Sequence, residues 1–247
     1  MYPVLNIGPF SFPTAGLIYI VGAWLSLSLV EWAAKRLRQD PEVAYGIGAT
    51  ALFAGLVGAR LAFVAQYWSG FKENLLAIVW PLNSGYIAWA GLIVALAGAF
   101  FYGRAKQAQP APMLDVLAPG LIAGLMFVSL ADFLAGPGFG TLTRAPWAIT
   151  QFSVRRHPVQ IYELLVGAAV LAAWWRALSW RRFPGQLFLM TISLYSGGRL
   201  LVDPFRDNAW LTSSGFHVLQ IISLVVMLVS LYLWGRLGEG AAAQQKS

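Results

Sequence analysis

The stretch LYSGGRLLVDPFRD, residues 194–207, sets ionisable side chains into an otherwise apolar run. Tyr195, Arg199, Asp203 and Arg206 stand at i, i+4, i+8 and i+11, which on a helix makes one polar stripe. A charge at the centre of a membrane helix costs about 2.5–3.5 kcal/mol on insertion scales, and such charges face a protein interior or a watery cavity. The stripe is therefore the default candidate for a functional site. The plainer alternative is that Arg199 and Asp203 only pair across one turn while Arg206 snorkels to a headgroup. That alternative leaves Tyr195 and the adjacent Gly197 and Gly198 without a role.

Outward from this stretch the chain stays apolar. Of its 247 residues 58% are hydrophobic and 11% charged, against about a quarter charged in soluble domains, and the mean hydropathy is +0.65. This composition describes an integral membrane protein of all-α, polytopic class. There is no cysteine and only two histidines, which excludes a disulfide framework and a thiolate metal site. No metal, cofactor or nucleic-acid partner is expected, so catalysis falls to Arg, Asp, Glu, His, Tyr and backbone groups.

Runs long enough to span a bilayer lie near 14–33, 44–66, 83–103, 113–134, 159–178, 185–203 and 215–235, giving seven expected transmembrane helices. Residues 1–30 carry no charged side chain. With the N-terminus outside, the inner side receives Lys35, Arg36, Arg38, Arg104, Lys106, Arg176, Arg181, Arg182, Arg236 and Lys246, against Lys72, Arg144, Arg155 and Arg156 outside. The bias of basic residues toward cytoplasmic loops favours N-out, C-in. Arg60, Arg199 and Arg206 fall in or beside membrane segments near the outer face. Residues 1–13, punctuated by Pro and Gly and lacking the marks of a cleaved signal peptide, are expected to lie along the outer interface. Residues 14–236 form the membrane domain, and 237–247 a disordered cytoplasmic tail. GLVGARL and GLIVALAGA share a small-residue spacing that reads as close helix packing.

The outer side holds the remaining chemistry. FLAGPGFGTLTRAPWAITQFSVRRHPVQIYE combines Gly136, Gly138 and Gly140 with Arg144, Arg155, Arg156 and His157, then opens a helix at Pro158. A phosphate-bearing headgroup suits such a helix start, though Arg155 and Arg156 can equally rest on anionic outer-leaflet lipid. His157, Gln160 and Glu163 fall along one inward face, where a histidine is a base or a satisfied structural group. His217, opening the last helix, reads as a cap or a snorkelling side chain.

In order, PVLNIGPFSF, GARL (58–61), LDVLAPG (114–120), APWA (145–148), HPVQIYE (157–163), FPGQLF (183–188), YSGGRLLVDPFR (195–206) and Gln220 resemble the prolipoprotein diacylglyceryl transferase family along nearly the whole chain. The resemblance implies seven membrane helices with the N-terminus outside and a bacterial inner-membrane site facing the outer leaflet. It implies transfer of a diacylglyceryl group from phosphatidylglycerol to the lipobox cysteine of a preprolipoprotein, with release of glycerol phosphate. It carries over Tyr195, Arg199, Arg206, His157, Gln160, Tyr162 and Glu163, and Asp203 where the family has Glu; of these, His157, Arg199 and Asp203 form the expected catalytic set and the rest bind substrate. Arg60, Ser129, Asp132, Gly136, Gly140 and Trp89 complete the expected binding set.

The chain departs from the family at several of these positions. Trp89-Ala90-Gly91 stands for a His-Gly-Gly turn, Ser129 for an arginine, Asp132 for Asn or Cys, Ala135 for Asn, and Ala15-Gly16 for Tyr-Gly. Losing the histidine removes a candidate base, and losing the arginine removes a partner for developing phosphate charge. His157 is then the expected base, with Asp132, Asp203 or Glu163 as carboxylate alternatives. Three functions stay open: an active, divergent transferase; a silent homologue binding phosphatidylglycerol or another anionic phospholipid; and a structural subunit of a membrane complex.

Overall fold

Helix ends fall where the sequence supplies a break. The computed structural model describes residues 4–7, 10–79, 85–136, 138–151 and 153–244. An antiparallel hairpin, β1 (Val4–Ile7) and β2 (Phe10–Pro13), leads into α1 (Thr14–Arg36). Asp40 starts α2 (Pro41–Gln66) by accepting the backbone N–H groups of Glu42 and Val43, with Pro41 set in the first turn. Two short helices follow, α3 (Trp68–Phe71) and α4 (Leu76–Val79), then α5 (Ala88–Ala105) and α6 (Pro110–Ala135). A second hairpin, β3 (Ile149–Gln151) and β4 (Val154–Arg156), precedes α7 (Val159–Ala177), α8 (Gln186–Val202) and α9 (Val218–Gln244).

Six of the described helices are long and apolar enough to cross a membrane. The expected run at 185–203 becomes α8, whose 17 residues make about 26 Å of helix, a little under the ~30 Å hydrocarbon core. The start of the expected 83–103 span lies outside the described residues, and α5 begins at Ala88. Within the N-terminal segment, residues 4–7 and 10–13 pair as antiparallel strands. The tail expected to be disordered from 237 continues α9 to Gln244, because Glu, Ala and Gln are good helix formers; residues 245–247 lie outside the described residues. Large apolar side chains such as Phe53, Leu201 and Tyr232 are more than 60% exposed, as a hydrocarbon solvent requires.

The chain forms two compact units, residues 30–113 and residues 1–29 with 114–247. In the first, α2 packs on α5 through small residues. A Cβ at Gly91 would stand 2.7 Å from the Gly55 carbonyl oxygen and 2.8 Å from the Ala59 Cβ, so the two small-residue stretches do serve close approach. In the second unit α8 packs against α7 and α9. Gly198 lets Val166 of α7 lie against the α8 backbone.

A buried carboxylate fixes where α8 begins. Asp115 on α6 is fully buried and accepts the backbone N–H groups of Gly185 and Phe188, both at 2.8 Å, with Arg181 Nε 3.0 Å away. Gly185 adopts φ +90°, a left-handed conformation that suits glycine, and lets the chain turn into α8. Asp115 thus caps, from another helix, N–H groups that α8 cannot satisfy itself. Replacing it by Ala should cost about 3–5 kcal/mol by leaving those donors and Arg181 unpaired, whereas Asp115→Asn should cost less. Thermal unfolding in detergent should rank the two in that order.

Candidate active site

The first turns of α7 carry a carboxylate that joins three other side chains of the second unit. Gln160 and Glu163 are both buried on this helix. One Glu163 oxygen, Oε1, accepts from Arg199 Nη1 of α8 and, at 2.5 Å, from Arg206 Nη2. The other, Oε2, accepts the Ser129 hydroxyl of α6 at 2.8 Å. Ser129 therefore completes the carboxylate's hydrogen-bond shell. Tyr195, one turn before Arg199, lies within electrostatic reach of Arg199, Glu163 and Arg206.

Arg206 does not reach this point along one helix. Pro204 ends α8, and Asp203–Phe205 forms a single 3-10 turn. Arg206 then runs extended and bridges Gly140, with Thr141 N–H donating to the Phe205 carbonyl and Asp207 N–H to that of Phe139. A side chain at Gly140 would strike the His157 carbonyl, so only glycine allows this close pairing. Gly136 turns the chain out of α6 at φ +106°. The space beside Gly138 is bounded by Arg206 Nη1 and Asp132 Oδ2, which puts Asp132 next to the second arginine.

The pairing of Arg199 with Asp203, the plainer alternative for the stripe, is present but secondary, its N–O separation being 3.6 Å. The closer partner of Asp203 is His217, whose Nδ1 stands 2.8 Å from Asp203 Oδ2. The sequence makes His157 the expected base and His217 a cap or snorkelling side chain, whereas the structure sets His217 against Asp203. His157 Nδ1 instead lies 3.0 Å from the Tyr162 hydroxyl, which also accepts Trp147 Nε1–H at 2.7 Å, while its ring packs on Phe205. The difference arises because His157 precedes α7, so its ring is not carried on the face that bears Gln160 and Glu163.

The surface arginines also have protein partners. Arg155 donates to the Ala145 carbonyl, and Arg156 to the Gly140 carbonyl and Asp207, with its guanidinium 4.6 Å from the Phe139 ring centre. Arg60 and Trp89 belong to the other compact unit. Arg60 donates to the carbonyls of Ala77, Ile78 and Gly85 and lies over the Phe71 and Tyr86 rings, so its charge holds the α4 region against α2. Trp89, in the first turn of α5, is 69% exposed.

Comparison with known proteins identifies the family. A family model described as prolipoprotein diacylglyceryl transferase matches residues 3–236. Three similar proteins all bear the name phosphatidylglycerol–prolipoprotein diacylglyceryl transferase. The one from Trichormus variabilis is 25% identical over 246 residues, covering 93% of this chain and 87% of its own. That from Geobacter sulfurreducens is 29% identical over 239 residues, covering 92% and 91%. That from Finegoldia magna is 26% identical over 219 residues, covering 88% of each.

The geometry ranks the side chains around Glu163 by what their loss exposes. Glu163→Ala leaves two half-buried arginines facing each other and should cost about 3–5 kcal/mol. Ser129→Ala removes one hydrogen bond to a charged acceptor and should cost about 1–3 kcal/mol. Unfolding of detergent-purified variants measures both, and an unchanged midpoint for Glu163→Ala would contradict the assignment.

Proposed function

Because this chain belongs to the prolipoprotein diacylglyceryl transferase family, we propose that it transfers the diacylglyceryl group of phosphatidylglycerol to the cysteine thiol of a prolipoprotein. The observation that carries this reading is the pair of guanidinium groups, Arg199 and Arg206, held on one buried carboxylate oxygen. In the transfer, the thiol sulfur forms a bond to the glyceryl carbon as that carbon's bond to the phosphate oxygen breaks. Glycerol phosphate leaves with one more negative charge than the phosphodiester carried. Donors aimed at that developing charge lower the barrier most when they need not reorganise.

Glu163 fixes both forks, yet it occupies only part of their donor capacity, since each guanidinium carries five N–H donors. Arg206 Nε is buried without a hydrogen-bond partner among the described residues. Glu163, Asp203 and Asp132 offset the arginine charge, so the cluster acts through oriented donors rather than through a large positive potential. Tyr195 and Gln160 border the same region and are assigned with them to substrate binding.

Seven spans, with α8 as the sixth, are the topology we assign, N-terminus outside and C-terminus inside, in a bacterial inner membrane with the arginine pair toward the outer leaflet. The distribution of basic residues supports this orientation, and the apolar helices support membrane spanning. A reporter fused after the last residue should be cytoplasmic and one inserted at Gly138 external; finding both on one side would overturn it.

Activity is tested by supplying phosphatidylglycerol in mixed micelles with a lipobox peptide and following the thioether product by mass spectrometry. Wild type should form it. Arg199→Lys should lose nearly as much as Arg199→Ala, about 10²- to 10³-fold, because a point charge does not replace a planar fork. Wild type that retains the lipid but yields no thioether would instead favour a silent lipid-binding homologue.

A further inference from the structure

A transferase acting on a cysteine thiol needs a group to take the thiol's proton, since a free thiol is mostly protonated near neutral pH. Two imidazoles are available. His157 has a tyrosine hydroxyl on Nδ1, itself hydrogen-bonded to a tryptophan, and a phenylalanine against its ring. His217 has a carboxylate. Its Nδ1 lies 2.8 Å from Asp203 Oδ2, and Asp203 is 1% exposed while the His217 side chain is 24% exposed.

That asymmetry matters for proton transfer. A buried carboxylate that accepts Nδ1–H fixes the imidazole tautomer, leaves Nε2 as the basic nitrogen and stabilises the imidazolium once it forms. The exposed share of the ring keeps it open to an incoming group. Asp203 is also tied to the phosphate-binding pair, with its other oxygen 3.6 Å from Arg199 Nη2. One carboxylate therefore faces both an imidazole and a guanidinium of the cluster.

The backbone holds the ring in place from both sides. The segment after Asp203 folds back at Thr212–Phe216, where Phe216 N–H donates to the Thr212 hydroxyl and Gly215 takes φ +81°. Leu211 then bridges His217, Val218 N–H donates to the Trp210 carbonyl, and the His217 carbonyl accepts Ile221 N–H in the first turn of α9. His217 is thus set on a tight return beside Asp203 instead of on a free end.

We propose that His217, oriented by Asp203, is the general base that activates the acceptor thiol. This rests on the transferase reading above. His217 Nε2 takes the proton from the cysteine S–H, and the thiolate sulfur bonds to the glyceryl carbon as its C–O bond to phosphate breaks. The glycerol phosphate leaves with both electrons of that bond, and the imidazolium returns its proton to water or to the departing phosphate. His217 is the catalytic residue of this step and Asp203 the positioning residue.

The test uses the full-length protein, phosphatidylglycerol in mixed micelles and a synthetic lipobox peptide. His217→Gln, which keeps an amide to bond Asp203, should lower thioether formation about 10²- to 10⁴-fold while retaining phosphatidylglycerol, and His157→Gln should lower it far less. Free imidazole should restore part of the rate in His217→Gly, which a purely structural role would not allow. Asp203→Asn should lower kcat with little change in the KM for phosphatidylglycerol. If wild type is active and the His217 variants are equally active, or if His157→Gln alone abolishes turnover, the base assignment fails while the transferase reading stands. If wild type forms no thioether, both fail. Loss in His217→Gly without imidazole rescue, in protein that still retains lipid, would also overturn the base role.

Discussion

A carboxylate taken out of water has to be surrounded by donors, and Glu163 is surrounded by three that come from three different segments. Ser129 comes from α6, Arg199 from α8 and Arg206 from the extended strand beyond it. An unpaired charge in such a place costs several kcal/mol, so the segments bearing the donors are held together by the acid as much as by packing. The glycine loop after α6 follows from the same constraint. It pairs with residues 205–207 because Arg206 must point inward, and Gly140 permits the approach.

The same device appears at the start of α8, with a different purpose. Asp115 meets backbone donors and Arg181, satisfies a helix start and leaves no arginine fork directed elsewhere. Asp115 therefore sets where α8 begins, and Glu163 sets what its far turn presents. Between them the helix is fixed on both sides, and Gly198 lets Val166 lie close enough to carry Glu163 to Arg199.

Much of this was legible in the sequence, for identifiable reasons. The apolar runs set the helices because a spanning segment must satisfy its own backbone, and the small residues of α2 and α5 announced their contact. Arg199, Arg206, Glu163 and Gln160 stand out in the sequence because charge and amide groups within apolar runs are costly. What failed was geometry across breaks. The stripe through Arg206 was read as one helix although Pro204 stands in it, and the tail past 237 was read as disordered although its composition favours helix. His217 was read as a cap because its partner lies 14 residues away, beyond any helical period. A signal was present: the TSSG stretch between Asp203 and His217 has the residues of a tight turn, which returns the chain on itself. The resemblance implies a lost arginine at Ser129, and a sequence does not show the carboxylate that the hydroxyl serves.

The central claim is that Arg199 and Arg206, aligned by Glu163, receive the phosphate of phosphatidylglycerol. An experimental structure of the protein with that lipid bound tests it most directly. The account predicts phosphate oxygens at charge-assisted hydrogen-bond distance, about 2.7–2.9 Å, from nitrogens of both guanidinium groups, with Glu163 still joined to them. A headgroup seated away from this pair, with the Glu163 cluster closed and intact, would contradict it.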